Sequence, residues 1–242
     1  LIGYKTDRPE EIECVMVWGH PKGSLEKFKN LKLIFSMGAG VDHILNDDTI
    51  PKNIPISRIV DPQMAFSMTN YILMAVLNYQ RCWYDFQDAQ KKNHWAQFEF
   101  DEKDLKIGVY GIGHLGMDAA NALYRLGFEV FGYSNSLKET IFPSFYGDQL
   151  LDFLNKINVL VCTVPLTPKT RGLLCTKFFK KLPNPTYLIN VSRGAIHVEN
   201  DIIKAIKQGK LTGAFLDVFE KEPLPEESPL WQNPKIKITP HI

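Results

Sequence analysis

The sequence predicts an α/β fold built on a parallel sheet, and three observations lead there. Residues 105–110 (LKIGVY) run apolar as a buried strand does, and residues 128–133 read as a second strand. Between them stand Gly111-Ile112-Gly113-His114-Leu115-Gly116, then apolar residues at helical spacing (Leu115, Ala119, Ala122, Leu123, Leu126), closed by Gly127 at the helix end. From residue 105 onward helices and strands then alternate, which implies a sheet wrapped by helices with right-handed crossovers. This is a Rossmann-type, doubly wound arrangement. In it Gly111 permits the tight turn, Gly113 lets a pyrophosphate approach the backbone, and Gly116 lets helix pack on strand. The helix N-terminus offers N–H groups and partial positive charge to the phosphates.

The remaining elements follow from local pattern. Residues 14–18 (CVMVW) form a short apolar run expected to be a buried strand, 25–30 a short helix, and 31–35 (LKLIF) the next strand. A second glycine turn, Ser36-Met37-Gly38-Ala39-Gly40-Val41-Asp42, leads to a helix start near Asp42 and exposes N–H groups suited to an anion. His43 reads as a surface or capping residue. Residues 54–60 form a strand with prolines at its margins, and residues 64–94 a long helical region suited to interdomain and subunit contact. Residues 135–146 are a variable patch. Helices are expected over 148–156, 177–182 and 199–209, and strands over 158–164, 187–191, 211–216 and 236–239. Trp18 and Trp231 could wall a pocket, but core packing is the stronger expectation for either.

Composition narrows the function. The chain has 242 residues, 45% hydrophobic and 23% charged, as in a soluble globular protein. A net charge of +1 gives no footprint for nucleic acid or an anionic membrane. The most apolar segment, 71–77, is far too short to span a bilayer. Cys14, Cys82, Cys162 and Cys175 show no C-x-x-C or metal spacing, so no metal site is expected, and reduced thiols in a cytoplasmic protein are. Leu1 opens inside what reads as a strand, and the chain stops one residue after Pro240-His241; the expectation is a piece of a longer protein.

The unusual polar residues lie where strands end: Ser134, Thr163 to Pro165, Ser192-Arg193, Asp217 and His241. In open α/β sheets, ligands bind at the carboxyl ends of strands. Arg193, Glu222 and His241 are each ordinary alone; their shared address beside a dinucleotide motif is not. Hydride transfer to a 2-keto acid needs these types. A permanently charged planar fork grips carboxylate and carbonyl, an imidazole delivers a proton near neutral pH, and a carboxylate orients that ring and favours its charged form.

The stretches MGAGVDHIL (37–45), GIGHLG (111–116), VCTVPLTPKTRGLL (161–174), INVSRGAIHVENDIIKAIKQGKL (189–211), LDVFEKEPLPEESPLWQNP (216–234) and ITPHI (238–242) resemble the D-isomer-specific 2-hydroxyacid dehydrogenases, in particular their glyoxylate/hydroxypyruvate reductase A branch. The resemblance implies an NAD(P)H-dependent reductase of glyoxylate, hydroxypyruvate or a similar small 2-keto acid, with a second, smaller flavodoxin-like α/β substrate domain, here partly missing. Residues 1–73 would belong to that domain and 74–241 to the cofactor domain with its dimer-contact helix. Arg193 would bind and polarise the keto acid, His241 act as acid/base, and Glu222 be its partner; the backbone at Ala39, Gly40 and Val41 would help hold the substrate carboxylate. The cofactor would meet Gly111, Gly113, His114, Leu115 and Gly116, and Ser134, Asn135 and Ser136 at the second strand's end. It would also meet Val164, Pro165 and Thr170, the turn Val191, Ser192 and Arg193, and Asp217 and His241. A homodimer is expected.

Two departures from the family pattern stand out. Many NAD-using members carry Asp where Ser134-Asn135-Ser136 stand, with Lys138 close by. No carboxylate would repel a 2′-phosphate here, so NADP is expected to be favoured over NAD. Asn70 stands where relatives commonly have Glu, and nothing in the sequence explains it. A competing function is a nucleotide-sensing corepressor of the same fold, which the trio alone does not separate from an enzyme. A Rossmann methyltransferase gives the Arg–Glu–His trio no purpose.

Overall fold

A computed structural model describes residues 6–242, so the strand expected at Leu1 lies outside the described residues. The chain forms two compact units, Leu1–Pro62 and Gln63–Ile242. The second is dominated by a seven-stranded, wholly parallel sheet. Its strands are β4 (Lys106–Tyr110), β5 (Glu129–Ser134), β6 (Ser144–Tyr146), β7 (Val159–Cys162), β8 (Thr186–Asn190), β9 (Leu211–Leu216) and β10 (Ile236–Ile238), in the order β10-β9-β8-β7-β4-β5-β6. The order reverses between β4 and β7. The glycine turn after β4 and the Thr163–Pro165 loop after β7 therefore flank the crevice where such sheets take ligands.

Both faces of this sheet are covered, which is why its strands read as nearly unbroken apolar runs. Leu160, Cys162, Leu188, Ala214 and Leu216 face one side, with α5 (Leu150–Leu154), α6 (Thr176–Phe179) and α7 (Glu199–Lys207) supplying Phe153, Phe179 and Ile202. Ile107, Val109, Val159, Val161, Ile189 and Phe215 face the other, under α2 (Pro62–Gln80) and α4 (His114–Arg125) with Ile72, Val76, Ala119 and Leu123. Gly108 is a packing device: a Cβ there would lie 2.7 Å from Ile157 and Phe153 side-chain atoms.

Several expectations need correction. The long helix over 64–94 is two helices, α2 and α3 (Trp83–Lys91), broken where Cys82 adopts a left-handed φ of 54°. Residues 25–30 form successive turns rather than a helix. The patch 135–146 ends in a short edge strand, β6, too brief for alternation to reveal. Trp18 and Trp231 are 62% and 52% exposed, so neither is a core residue.

The first unit holds β1 (Cys14–Val17), β2 (Leu33–Ser36) and β3 (Ile56–Arg58), parallel in the order β1-β2-β3, with one turn of helix, α1 (Asp42–Leu45). Its small core is Val17, Leu25, Leu31, Ile34 and Ile44. β1, expected to be buried, lies at an edge of the sheet among the described residues, with Cys14 and Met16 exposed.

So small a core relies on a polar fastening. Asp47, 5% exposed, accepts from the Gly23 N–H (3.1 Å) and the His20 ring (Nε2, 3.1 Å) on one oxygen, and from the Thr49 N–H (3.1 Å) and hydroxyl (2.6 Å) on the other. Burial alone would raise its pKa; the hydrogen bonds from Thr49, Gly23 and His20 outweigh it and hold the carboxyl at about 2. A depressed folded pKa stabilises the fold above the ordinary carboxylate range, and that contribution is lost as pH falls through the folded value. Asp47→Asn should therefore cost about 1–3 kcal/mol at neutral pH. In urea titrations the gap between wild type and variant should close between the ordinary value of 3.8 and about 2; a gap unchanged at low pH would refute this role.

Candidate active site

At the carboxyl end of β4 the three glycines divide the work as their spacing predicts. Gly111 has φ +112°, and a Cβ on it would lie 2.8 Å from the Val164 nitrogen. A Cβ on Gly116 would lie 2.3 Å from the Gly111 carbonyl and 2.6 Å from the Thr163 hydroxyl. Gly113 precedes α4 and faces open space, with nothing within 4 Å of its would-be Cβ. The helix start is thus bare on the side a pyrophosphate would approach. The Thr163 hydroxyl donates to the Gly111 carbonyl at 2.9 Å and ties the β4 and β7 loops together. His114 and Leu115 open α4, His114 exposed and Leu115 half-buried.

At the end of β5, Asn135, Ser136 and Lys138 are exposed. The Ser134 hydroxyl donates to the Ser136 carbonyl (2.5 Å), so its proton is spent within the turn. After β7, Val164 is buried and Thr170 donates to the Pro165 carbonyl (2.7 Å), fixing that loop. Buried Cys162 is no nucleophile: burial raises its thiol pKa to about 11.

After β8 the chain turns sharply through Val191, Ser192 and Arg193. Val191 and Ser192 are buried, and Arg193 is partly buried, with Nη1 donating to the Ser192 carbonyl (2.7 Å). The next residue, Gly194, touches the chain that follows β9: a Cβ there would sit 1.8 Å from the Phe219 carbonyl carbon. The Arg193 turn and the 219–222 loop are therefore in backbone contact. In that loop Glu222 accepts from the Phe219 N–H (2.9 Å) on Oε1 and meets His241 Nδ1 (2.7 Å) with Oε2. Glu199, at the start of α7, accepts from the Glu220 N–H (3.1 Å) and braces the same loop.

His241 has a left-handed φ of 57°, uncommon among non-glycine residues. Asp217 at the end of β9 holds its segment. Its Oδ1 accepts from the Thr239 hydroxyl (2.7 Å), the Ile242 N–H (3.2 Å) and the Tyr71 hydroxyl (3.2 Å). The Tyr71 hydroxyl, on α2, also lies against that of Thr239, and burial first, with Asp217 nearby, raises its pKa well above the ordinary value. Asp217 is 1% exposed, and its Oδ2 has no partner among the described residues. The open face at Gly113 and this orphaned oxygen both fit a bound dinucleotide. Tyr71, Thr239 and Asn190 were not singled out in the sequence; Asn190, two residues before the polar turn of a strand otherwise apolar, was the one detectable signal.

In the first unit, Ser36 donates to the Gly40 carbonyl (2.8 Å) and Arg58 to the Ala39 carbonyl (3.1 Å). The N–H groups of Ala39, Gly40 and Val41 donate to nothing among the described residues.

These features define a dinucleotide-dependent dehydrogenase class, and comparison with known proteins names the family. Residues 73–242 match the model of the D-isomer specific 2-hydroxyacid dehydrogenase NAD binding domain. The chain is 40% identical over 247 aligned residues, 99% of its length and 79% of the relative's, to glyoxylate/hydroxypyruvate reductase A of Photorhabdus laumondii. A D-isomer specific 2-hydroxyacid dehydrogenase of Xanthobacter autotrophicus Py2, solved with NADPH and MES, superposes with TM-score 0.91 at 38% identity, covering 98% of this chain and 76% of that one. The NADPH-dependent glyoxylate/hydroxypyruvate reductase of Sinorhizobium meliloti, solved with NADP and sulfate, gives 0.90 at 35% identity over 95% and 75%. The chain belongs to the D-isomer specific 2-hydroxyacid dehydrogenase family. It is an NAD(P)-dependent oxidoreductase with 2-hydroxyacid dehydrogenase activity. Among the described residues no helix is long and apolar enough to cross a membrane, and no three His, Cys, Asp or Glu side chains cluster as a metal site.

Two glycine variants separate folding from cofactor binding. Gly116→Ala should lower the melting temperature, because its methyl meets a backbone carbonyl at 2.3 Å. Gly113→Ala should leave melting nearly unchanged and weaken NADPH binding, read by nicotinamide fluorescence; equal effects of the two on melting would contradict the division of labour.

Proposed function

We propose that the protein reduces a small 2-keto acid of the glyoxylate or hydroxypyruvate type, with NADPH preferred over NADH. The observation that carries this is the Glu222–His241 contact of 2.7 Å in a loop pressed against the residue after Arg193. The glycine turn, the loops after β5, β7 and β8, and Asp217 would hold the dinucleotide, whose reduced nicotinamide would supply a hydride when bound. Arg193 grips the substrate carboxylate and polarises its carbonyl. Glu222 occupies His241 Nδ1, which leaves Nε2–H of the charged ring to give a proton to the carbonyl oxygen as carbon is reduced. In the reverse direction the same nitrogen takes the hydroxyl proton. The family resemblance gives the backbone at Ala39, Gly40 and Val41 a role in holding a carboxylate, and its N–H groups donate to nothing among the described residues. Asn135, Ser136 and Lys138 receive the 2′-phosphate, a reading supported by the absence of a carboxylate at the end of β5 and by the NADP- and NADPH-bound relatives.

The test is oxidation of NADPH followed at the nicotinamide band with a panel of 2-keto acids. Glyoxylate or hydroxypyruvate should give the highest kcat/KM, and NADPH should be favoured over NADH by at least about tenfold, one charge-assisted contact's worth. Arg193→Lys should lose about 10²-fold or more in kcat/KM because a point charge cannot replace the fork. His241→Asn should lose about 10²–10⁴-fold in kcat with NADPH affinity kept. NADH clearly preferred, or either variant fully active, would overturn the assignment it tests.

A homodimer is part of the same proposal. Trp83, Trp95 and Phe98 are 51%, 85% and 91% exposed on and after α3, more apolar surface than a lone subunit carries without cost. Light scattering should give twice the chain mass, and Trp95→Asp with Phe98→Asp should halve it; a monomeric wild type would refute the dimer.

A further inference from the structure

We infer that His197, which plays no part in the proton transfer proposed above, is a positioning residue that sets the Arg193 turn through Asn190. The inference rests on the proposed role of Arg193 in substrate binding. His197 is 2% exposed and follows the single 3-10 turn Gly194–Ile196. Burial pushes its pKa down to about 4, so the ring is neutral at physiological pH. Its Nδ1 faces the Asn190 side-chain nitrogen at 2.8 Å, and Nε2 has no partner among the described residues. An amide nitrogen can only donate, so Nδ1 is the acceptor and the ring proton sits on Nε2.

That contact fixes which way the Asn190 amide points. With its nitrogen held by His197, its oxygen accepts from both the Ser192 N–H (3.1 Å) and the Ser192 hydroxyl (2.8 Å). The same nitrogen also donates to the Arg193 carbonyl (3.3 Å). One amide thus templates both residues of the turn that presents the guanidinium, and a flipped amide would face Ser192 with donors against a donor. A histidine with a buried, unpaired N–H is a poor choice for stability alone, since an apolar side chain of similar size would leave no group unsatisfied. Its acceptor nitrogen is what the site uses.

The experiment compares wild type, His197→Leu and His197→Asn. Leu keeps bulk without an acceptor; Asn offers a carbonyl oxygen near the Nδ1 position. His197→Leu should lose about tenfold in kcat/KM for glyoxylate, chiefly through KM, with no fall in melting temperature, as expected for a displaced anchoring group. His197→Asn should restore most of it. In an Arg193→Lys background His197→Leu should add little, because both act through one guanidinium. Unchanged KM, a loss that follows melting temperature in both variants, or additivity with Arg193→Lys would overturn the inference. If the Leu variant does not fold, His197→Gln, which lacks an acceptor at that position, takes its place with the same expected loss. Nitrogen-15 NMR of the ring gives a readout independent of turnover. At neutral pH it should show a neutral ring protonated on Nε2. A proton on Nδ1 refutes the inference even if the enzyme is fully active, whereas wild type without NADPH-dependent turnover of any keto acid refutes only the functional reading.

Discussion

The second unit depends on one close approach of backbone to backbone. Gly194 lies so near Phe219 and Glu220 that no side chain fits between them. Through that contact the turn carrying Arg193 and the loop carrying Glu222, separate in sequence, become one rigid corner. Glu222 binds the Phe219 N–H and the His241 ring at once, so the carboxylate both closes its own loop and aims the imidazole. A side chain that serves fold and site together has little freedom left, and such preorganisation is what a hydride-transfer centre requires.

Beneath this corner the sheet acts as a rigid floor. Tyr187, Leu188 and Ile189 of β8 are almost fully buried, and polar character begins at Asn190, its last residue. β9 does the same, apolar from Gly213 through Leu216 and polar at Asp217. Because the strands are parallel and in register, Asn190 pairs with Leu216, and the two polar residues lie one step apart on adjacent strands. Asn190 fixes the Arg193 turn, and Asp217 fixes the segment carrying His241. Neighbouring strand ends thus hold the two sides of the site in one frame.

The sequence made the sheet legible because burial on both faces writes unbroken apolar runs, and the glycine spacing is dictated by contacts whose residues are local. It also brought forward Arg193, Glu222 and His241, each ordinary alone, through their shared address beside the dinucleotide motif, and Glu222 and His241 do lie in contact. It misjudged what depends on tertiary context. Nothing local tells that Cys82 breaks the helix after Gln80 in a left-handed conformation. β6 has three residues, below the length at which periodicity speaks. The partners of Asp217 are 146, 22 and 25 positions away in the chain, so its role as a brace for residues 239–242 could not be read from composition.

Stability and function part company at two atoms. Among the buried side-chain atoms without a partner in the described residues are Asp217 Oδ2 and His197 Nε2, each in a residue whose other polar atom is engaged. A fold selected for stability alone would replace or satisfy such groups. Their positions explain their retention differently. Asp217 lies at the strand ends where the nicotinamide side of the cofactor is proposed to bind, and a contact of its second oxygen with the cofactor belongs to that proposal. His197 lies behind the Arg193 turn, away from any ligand proposed here, and its unpaired N–H is the by-product of needing an acceptor on the opposite side of the ring. The same deficit in bonding accompanies a proposed ligand contact in one case and a proposed strut in the other, and what satisfies the opposite atom of each side chain separates them.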